Sequence, residues 1–582
     1  MGKKIYKSLP DMGKARNRVD RPLLRRDEIV VPPAVSAFAA GRKFFIKTFG
    51  CQANVRDEEI MAGYLEKAGF CRTNEAKEAD LAIINTCAVR ENAEEKVYGE
   101  IGNFKANHLR DKNFVLAVCG CMMQEEGVAQ AICERYPFVN LVFGTHNVDK
   151  LLDLIDEHLG RHKDIVDILS FPGDIVENLP STRLDSYKAY VNIMYGCDKF
   201  CTYCIVPYTR GRERSRLKED ILAECRELVE QGYQEITLLG QNVNSYGKDF
   251  GDGTSFADIL EGVAKLGIPR LRFMTSHPWD FSDAMLDVIA KYPNIMNCIH
   301  LPVQSGSDVV LRRMGRRYSR AEYLDLVSRI RTKIPGCALT TDIIVGFPDE
   351  TEEDFQETLS LCREVGYDAA FTFIYSPRKG TPAAKMKDDV DDATKHRRFD
   401  ELIKVIEAGV IAHAEAMLGK VYPVLVDGPS KKDPSLLSGY TESGKLVHFR
   451  ATRALTGHIV NVLIKESHTF SMIGELIDDP LIVLANDFAR AFKEEEVVKR
   501  FEEAKKAWTE DESLLKLVEK QKEAQKALAL TVKEGRDEDY AKAKKAFAEA
   551  KERVDNHPVS INYRTAAEEL VDELSLLQEK LK

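Results

Sequence analysis

Short apolar runs separated by longer amphipathic stretches set the pattern of this chain from Lys43 onward. FFIKTFGC (44–51), LAIINTC (81–87) and FVLAVCGC (114–121) are apolar at consecutive positions, as strands covered on both faces are. Each is followed by a helix-like segment such as NVRDEEIMAGYLEKAGF, and that alternation predicts a parallel α/β sheet over 42–170. The stretch 171–186, FPGDIVENLPSTRLDS, has loop composition and reads as a linker. A second series follows over 187–412: AYVNIMYGC, EITLLGQN, RLRFMTSHP, CIHLPVQSG, LTTDIIVGFPDE and AAFTFIYSP. Six strand-plus-helix units fit a partial (β/α) barrel.

The period then changes. Between 413 and 479, short strands such as VYPVLVDG and KLVHFRA alternate with turn residues, as in a small five-stranded all-β barrel. From 480 to 582 apolar residues recur at three and four spacing among charges, which predicts an all-α end built of paired amphipathic helices. Residues 1–41 are basic and Pro-containing, without a hydrophobic period, and read as a disordered tail.

At 582 residues, 44% hydrophobic and 30% charged, the chain is long enough for about three to five domains. No apolar run approaches the roughly 18 residues that cross a bilayer, and the N-terminus lacks a secretory apolar core. These features predict a cytoplasmic protein with no membrane partner. The net charge of -10 does not itself suggest nucleic acid, so an RNA partner has to be argued from local patches.

All 13 cysteines lie between Cys51 and Cys362. In a reducing compartment that points to metal or catalytic thiols rather than disulfides. Cys197, Cys201 and Cys204 stand in one turn just after a predicted strand. Three thiolates around a 4Fe–4S cube leave one iron free for a small ligand, whereas structural zinc asks for four closed ligands. A second set, Cys51, Cys87 and Cys121, is dispersed, but each ends a predicted parallel strand. Strand ends line one edge of an open sheet, so these thiols become neighbours able to hold a second cluster; the alternative is three buried core cysteines. Cys119 sits inside an apolar strand and reads as core. The barrel's strand ends carry Gln241 and Asn242, Ser276 and His277, Gln304 and Ser305, then Gly346 and Pro348.

YGCDKFCTYCIVPYTRGRERSR (195–216), TFGCQAN (48–54), NTCAVRENAEEK (85–96) and GCMMQ (120–124) closely resemble the radical-SAM methylthiotransferase family. LLGQNVNSYG (238–247), RFMTSHP (272–278) and HLPVQSGSDVVLRRMGRRYS (300–319) resemble its tRNA branch, the MiaB type. The resemblance runs from about residue 43 to 478. It implies an N-terminal methylthiotransferase domain, a radical-SAM partial barrel and a C-terminal TRAM domain. It also implies two 4Fe–4S clusters, an auxiliary one on Cys51, Cys87 and Cys121 and a radical-SAM one on Cys197, Cys201 and Cys204. S-adenosylmethionine would lie against Gln241, Asn242, Ser276, Gln304, Asp342 and Gly346. One departure is VGFPDET (345–351), where a second glycine is expected at Asp349.

The reaction implied is transfer of a methylthio group to carbon 2 of N6-isopentenyladenosine at tRNA position 37, through a 5′-deoxyadenosyl radical. A flavodoxin or ferredoxin would be the electron donor. Arg212, Arg214, Arg316, Arg317, Lys420 and Arg450 are the expected RNA contacts, since guanidinium forks suit phosphate oxygens. His277 and His300 read as structural more readily than as ligand contacts. The C-terminal helices resemble the small YlbF/YmcA family, and the sharper reading of them is a docking module for a protein partner. Rival readings are the same chemistry on a ribosomal-protein aspartate or on threonylcarbamoyl-adenosine, and a non-catalytic cluster-bearing RNA regulator.

Overall fold

The computed structural model describes residues 4–16, 24–26, 28–88, 91–170, 174–477, 488, 492–493, 495–534 and 537–580. The chain divides into two compact units, Met1–Ile477 and Asp478–Lys582.

The first unit opens with a parallel sheet of seven strands: β1 (Ile5–Ser8), β2 (Lys43–Thr48), β3 (Cys71–Arg72), β4 (Leu81–Thr86), β5 (Val115–Gly120), β6 (Leu141–Phe143) and β7 (Ile165–Asp167). They lie in the order β1-β7-β6-β5-β4-β2-β3. Every residue of β4 and β5 is buried. Leu81 and Ile83 pack with helices Pro33–Ala39, Gln52–Ala68 and Leu151–Arg161, while Ala82 and Ile84 pack with Glu91–Asn103 and Val128–Arg135. Covering on both faces is why these strands read as continuous apolar runs.

The tail prediction needs correction. Ile5–Ser8 extends the sheet by pairing with β7, and Lys4 and Lys7 reach Asp164 and Glu157 at 3.1 and 2.9 Å. Farther on, Met12 and Ala15 are buried against Ala88, Cys121, Ile205 and Tyr208. A four-residue edge strand is too short to show a period, and only its partner strand fixes it. The rest of the tail call, at 1–3, 17–23 and 27, lies outside the described residues. The described part of the linker is also anchored. Ile175–Val176 pairs with Leu24–Arg25, and Arg183 bonds Glu59 and Glu224 at 2.9 and 2.7 Å.

Six parallel strands follow: β8 (Lys188–Asn192), β9 (Glu235–Leu239), β10 (Arg270–Phe273), β11 (Cys298–His300), β12 (Ala338–Val345) and β13 (Ala369–Ile374). They form two three-stranded sheets, β8-β9-β10 and β11-β12-β13, linked by a bridge between Leu271 and Ile295. Among the described residues nothing pairs β13 back to β8, so the barrel is partial. Alternate positions, among them Val191, Ile236, Leu238, Leu271, Ile299, Leu339, Ile343 and Val345, join one core with the outer helices. Period 2 sends the intervening residues to the lumen.

The five strands Val421–Pro429, Leu437–Thr441, Leu446–Phe449, Ile459–Ser467 and Met472–Ile477 close into a small barrel around Val424, Val447, Phe449, Val462 and Ile464. It docks at the start of the larger barrel's strands. Arg270 donates to the carbonyls of Tyr440 and Thr441 at 2.9 and 3.0 Å, and Lys445 donates to that of Asp368 at 2.7 Å.

The second unit contains helices Glu496–Glu510, Glu512–Glu534, Asp537–Asp555 and Pro558–Lys580, the middle two packed as a hairpin and the outer two against each other. Tyr563 tilts against Phe501 and Trp508 at 5.6 and 5.9 Å between ring centroids. Among the described residues no helix is long and apolar enough to cross a membrane.

Candidate metal centres and active site

Cys87 and Cys121 immediately follow the ends of β4 and β5, and Cys51 lies three residues past the end of adjacent β2. Cys121 and Cys87 are buried, and exposed Cys51 marks the open side. Two glycines allow the convergence. Gly50 has φ +117°, and a Cβ there would lie 2.9 Å from the Cys87 Sγ; Gly120 has φ +99°, and a Cβ there would lie 2.4 Å from the Thr86 carbonyl oxygen. Asn54 crosses the group. Its Nδ2 donates to the carbonyls of Phe49 and Thr86, both at 2.8 Å. Its Oδ1 accepts from Cys121 Sγ at 3.6 Å and lies 4.0 Å from Cys51 Sγ.

A cation reaches this pocket from the barrel side of the chain. Arg210 is buried, and its Nη2 donates to Asn54 Oδ1 and Asp57 Oδ2, both at 2.7 Å. Burial pushes the Cys121 thiol up to about 12, the guanidinium of Arg210 opposes the rise, and neighbouring Cys51 and Cys87 add to it. Three soft sulfur ligands with an adjacent fixed positive charge suit an anionic iron–sulfur core. Among the described residues no three Cys, His, Asp or Glu side chains converge on a single metal ion. A cube of iron and sulfide is wider than one ion, so the donor set fits a cluster better than zinc.

The second triad is local. Met194–Tyr195 pairs antiparallel with Arg214–Ser215 and closes the base of its loop. Gly196 has φ +76°, where a Cβ would meet the Arg212 carbonyl oxygen at 2.1 Å, and Phe200 has φ +48°. Cys197 N–H donates to the Gly211 carbonyl at 3.1 Å and Cys204 N–H to that of Cys201 at 3.0 Å. Thr202 ties the turn to the barrel, since its N–H donates to Met314 O at 2.9 Å and its Oγ1 to Arg313 O at 2.8 Å. Burial pushes Cys204 up to about 12, with Cys201 adding and Arg316 opposing. Cys197 is raised by burial too, and Cys204 and Cys201 add to the rise. The three thiols therefore stand in one turn whose backbone bonds fix its shape. Cys119, by contrast, is core and touches Met61 Sδ at 3.8 Å.

The residues expected around S-adenosylmethionine divide into two groups. Gln241 accepts from the Gly196 N–H through Oε1, which puts it against the cysteine turn. Asn242 donates to Asp280 Oδ2 at 2.6 Å, and Lys199 bonds the same carboxylate oxygen at 2.6 Å. Asn242 Oδ1, Ser276 Oγ and His277 Nε2 are buried without a hydrogen-bond partner. Burial holds His277 well below its ordinary value, and Arg316, Lys199 and Lys248 push the same way, so the ring is neutral. Gln304 has φ +73°, and its backbone bonds Asp342 O and Ile344 N, both at 2.9 Å. Asp342 lies on the lumen, 3.6 Å from His300 Nε2. Gly346 is set apart: its N–H serves Glu350 Oε2 at 2.7 Å, and Lys395 packs over its α-carbon. Asp349 has φ +60°, which is why a glycine is expected there; aspartate tolerates that region better than most side chains.

The arginine run needs correction. Arg214 and Arg316 are buried, so neither presents a surface to phosphate. Arg214 lies over Tyr195 at 5.7 Å and Arg316 over Tyr318 at 5.7 Å. Arg216 is internal as well, bonded to Glu177 and Glu224. Local sequence reports charge but not which face a strand or turn buries. Arg212 is half-buried on Asp198 at 2.8 Å. Arg317, Lys420 and Arg450 are exposed, Arg317 lying 4.9 Å over Trp279. Sequence reasoning missed Asn54, Asp57 and the inward role of Arg210. It also missed Phe371 and Phe373, although FTFI, with aromatics two apart, signals a strand with an apolar second face.

Family models match four segments. Residues 43–144 match "Uncharacterized protein family UPF0004", 191–362 "Radical SAM superfamily", 415–477 "TRAM domain", and 481–582 "Control of competence regulator ComK, YlbF/YmcA". The barrel with its three-thiol turn is therefore that of a radical SAM protein, whose cofactors are a 4Fe–4S cluster and S-adenosylmethionine. A curated tRNA-2-methylthio-N(6)-dimethylallyladenosine synthase of Oceanobacillus iheyensis is 50% identical over 475 residues, 81% of this chain and 92% of that protein. Those of Bacillus subtilis and Geobacillus kaustophilus are each 49% identical over 81% of this chain, covering 93% and 90% of their own lengths. This chain belongs to that family of radical SAM tRNA methylthiotransferases.

Proposed function

We propose that the chain places a methylthio group on carbon 2 of N6-dimethylallyladenosine, the isopentenyladenosine at position 37 of tRNA. The observation that carries this reading is two separate three-thiol sites in one compact unit that belongs to this family. Cys197, Cys201 and Cys204 would hold the radical-SAM cluster, and Cys51, Cys87 and Cys121 the auxiliary one. When bound, these groups and S-adenosylmethionine supply the one-electron chemistry, the sulfur and the methyl group.

The chain's own residues orient and enclose. Gln241 fixes the cysteine turn through Gly196 N–H. Asn242 Oδ1 and Ser276 Oγ have unmet hydrogen-bonding capacity toward S-adenosylmethionine, and neutral His277 adds an Nε2. Gln304 and Asp342 line the same space, while Gly346 has only its carbonyl and α-carbon left to offer. Arg212, Arg317, Lys420 and Arg450 are the remaining candidates for tRNA phosphates. On this reading 42–170 is the methylthiotransferase domain, 187–412 the radical-SAM core, 413–479 the TRAM domain and 480–582 the helical unit, with 1–41 and 171–186 flanking segments. A flavodoxin or ferredoxin delivers electrons in the cytoplasm, and the helical unit docks a protein partner.

The test is anaerobic. Reconstituted chain, reductant, S-adenosylmethionine and dimethylallyladenosine-containing tRNA are incubated, and the digested nucleosides are weighed by mass spectrometry. The 2-methylthio nucleoside is expected, and expected to vanish in Cys197→Ala. Cleavage of S-adenosylmethionine with an unchanged nucleoside would refute the substrate.

A further inference from the structure

β13 is the last strand of the partial barrel, with one edge unpaired among the described residues. In parallel register Asp342 lies opposite Phe371 and Ile344 opposite Phe373. Ile343 and Val345 belong to the core under the helices, and Ala370 and Ile374 pack against it. Alternation therefore sends Phe371 and Phe373, with Asp342, to the lumen.

Elsewhere the lumen positions are mainly polar, among them Tyr190, Thr237, Arg272, His300 and Thr340, with the less exposed Leu239 and Ile344 as apolar exceptions. The two phenylalanines stand out against that lining, 54% and 40% exposed. His300 meets Phe371 edge-on at 6.1 Å and is itself held by Thr340 Oγ1 at 3.0 Å on Nδ1. A strand buried against helices on one side has no packing reason for two large aromatics on the other. Apolar surface of this size inside a reaction cleft marks a place that an apolar ligand group covers.

The relatives' name specifies an adenosine bearing a dimethylallyl group on N6. That substituent is a branched five-carbon alkene with no hydrogen-bonding atom, so only apolar contact can recognise it. We propose that Phe371 and Phe373 hold the dimethylallyl group and make the chain select tRNA that a prenyl-transfer reaction has already modified. The inference rests on the substrate reading above. It names the residues that set the order of the two modifications.

The experiment uses the full reconstituted chain and two anticodon stem-loop RNAs, one with dimethylallyladenosine and one with adenosine at the target position. Affinities are read by fluorescence anisotropy for the wild type, for the double variant Phe371→Ala with Phe373→Ala, and for the corresponding double leucine variant. The wild type should prefer the prenylated RNA about tenfold or more, because apolar pockets discriminate on that scale per missing group. The alanine pair should cut the preference to about twofold, leaving affinity for the plain RNA unchanged, while leucines retain most of it. Iron content and melting temperature, unchanged because both rings are exposed, show that the variants are folded. Equal weakening toward both RNAs would mean that the rings stack on the base, and it would overturn the proposal, as would a preference that survives in the alanine pair. A parallel product assay separates the two readings. If the wild type fails to methylthiolate the prenylated RNA, the substrate reading itself is lost. If it succeeds yet shows no preference in binding, only the role of the phenylalanines is lost.

Discussion

The two thiol triads solve one problem in opposite ways. Cys197, Cys201 and Cys204 come from a single turn, and the cost is local: positive φ at Gly196 and Phe200, with ties from Thr202 to the barrel to hold the shape. Cys51, Cys87 and Cys121 come from three strand ends, where the sheet itself supplies the spacing. Strain there is confined to Gly50 and Gly120. The local triad keeps Arg316 nearby from its own barrel. The distributed triad takes its cation, Arg210, from 156 residues beyond Asn54. A motif read in one stretch is thus self-contained, whereas a site read across a sheet depends on distant chain.

The largest effects separate the two sites chemically. Cys197→Ala should lower both S-adenosylmethionine cleavage and product by about 1,000-fold or more. Cys121→Ala should lose the product to the same degree while cleavage to 5′-deoxyadenosine persists, as chromatography of the small molecules will show. Loss of cleavage in Cys121→Ala would break the comparison, because the sites would then not be independent.

Next in size is the borrowed cation. Arg210→Met leaves Asp57 buried without its partner, an error that costs about 3–5 kcal/mol in urea unfolding of the apoprotein. Iron bound at the distributed site, isolated by placing Arg210→Met in a Cys197, Cys201 and Cys204 triple-alanine background, should fall with it. Gly120→Ala brings a methyl group against the Thr86 carbonyl at φ +99° and should cost about 2 kcal/mol by the same unfolding measurement.

The smallest effect is in pH. His277 and His146 are both held well below 6.5, first by burial and then by nearby arginines and, for His277, lysines. The unfolded chain takes up their protons near pH 6.5 and the folded chain does not. Stability is therefore complete above that pH and falls below it, by up to about 1.4 kcal/mol per pH unit for each ring. His277→Gln should remove about half of that slope in unfolding titrations between pH 6.5 and 5.5. An unchanged slope would mean that the ring charges in the folded state.

Legibility in the sequence followed the range of the interactions. β4 and β5 were plain because burial on both faces makes a run such as LAIIN apolar at every position. The six barrel strands and the closed five-stranded barrel were equally plain from period and turn residues. The edge strand Ile5–Ser8 was not, since four residues carry no period and their conformation belongs to β7. The cysteines could be placed from strand ends alone. Asn54 could not, because bridging Phe49, Thr86, Arg210 and a thiol is visible only after three strands lie side by side. Arg214 and Arg316 misled for a related reason: a charge has the same letter whether it is solvated or turned inward.

Arg210 also bears on synthesis. A ribosome makes this chain from the N-terminus, so all three distributed thiols and their strands emerge well before residue 210. Until then the nascent sheet presents a sulfur-lined hollow whose compensating charge is still untranslated. The bonds from Arg210 to Asn54 and Asp57 can form only once the chain has been made through residue 210, so the hollow acquires its cation last.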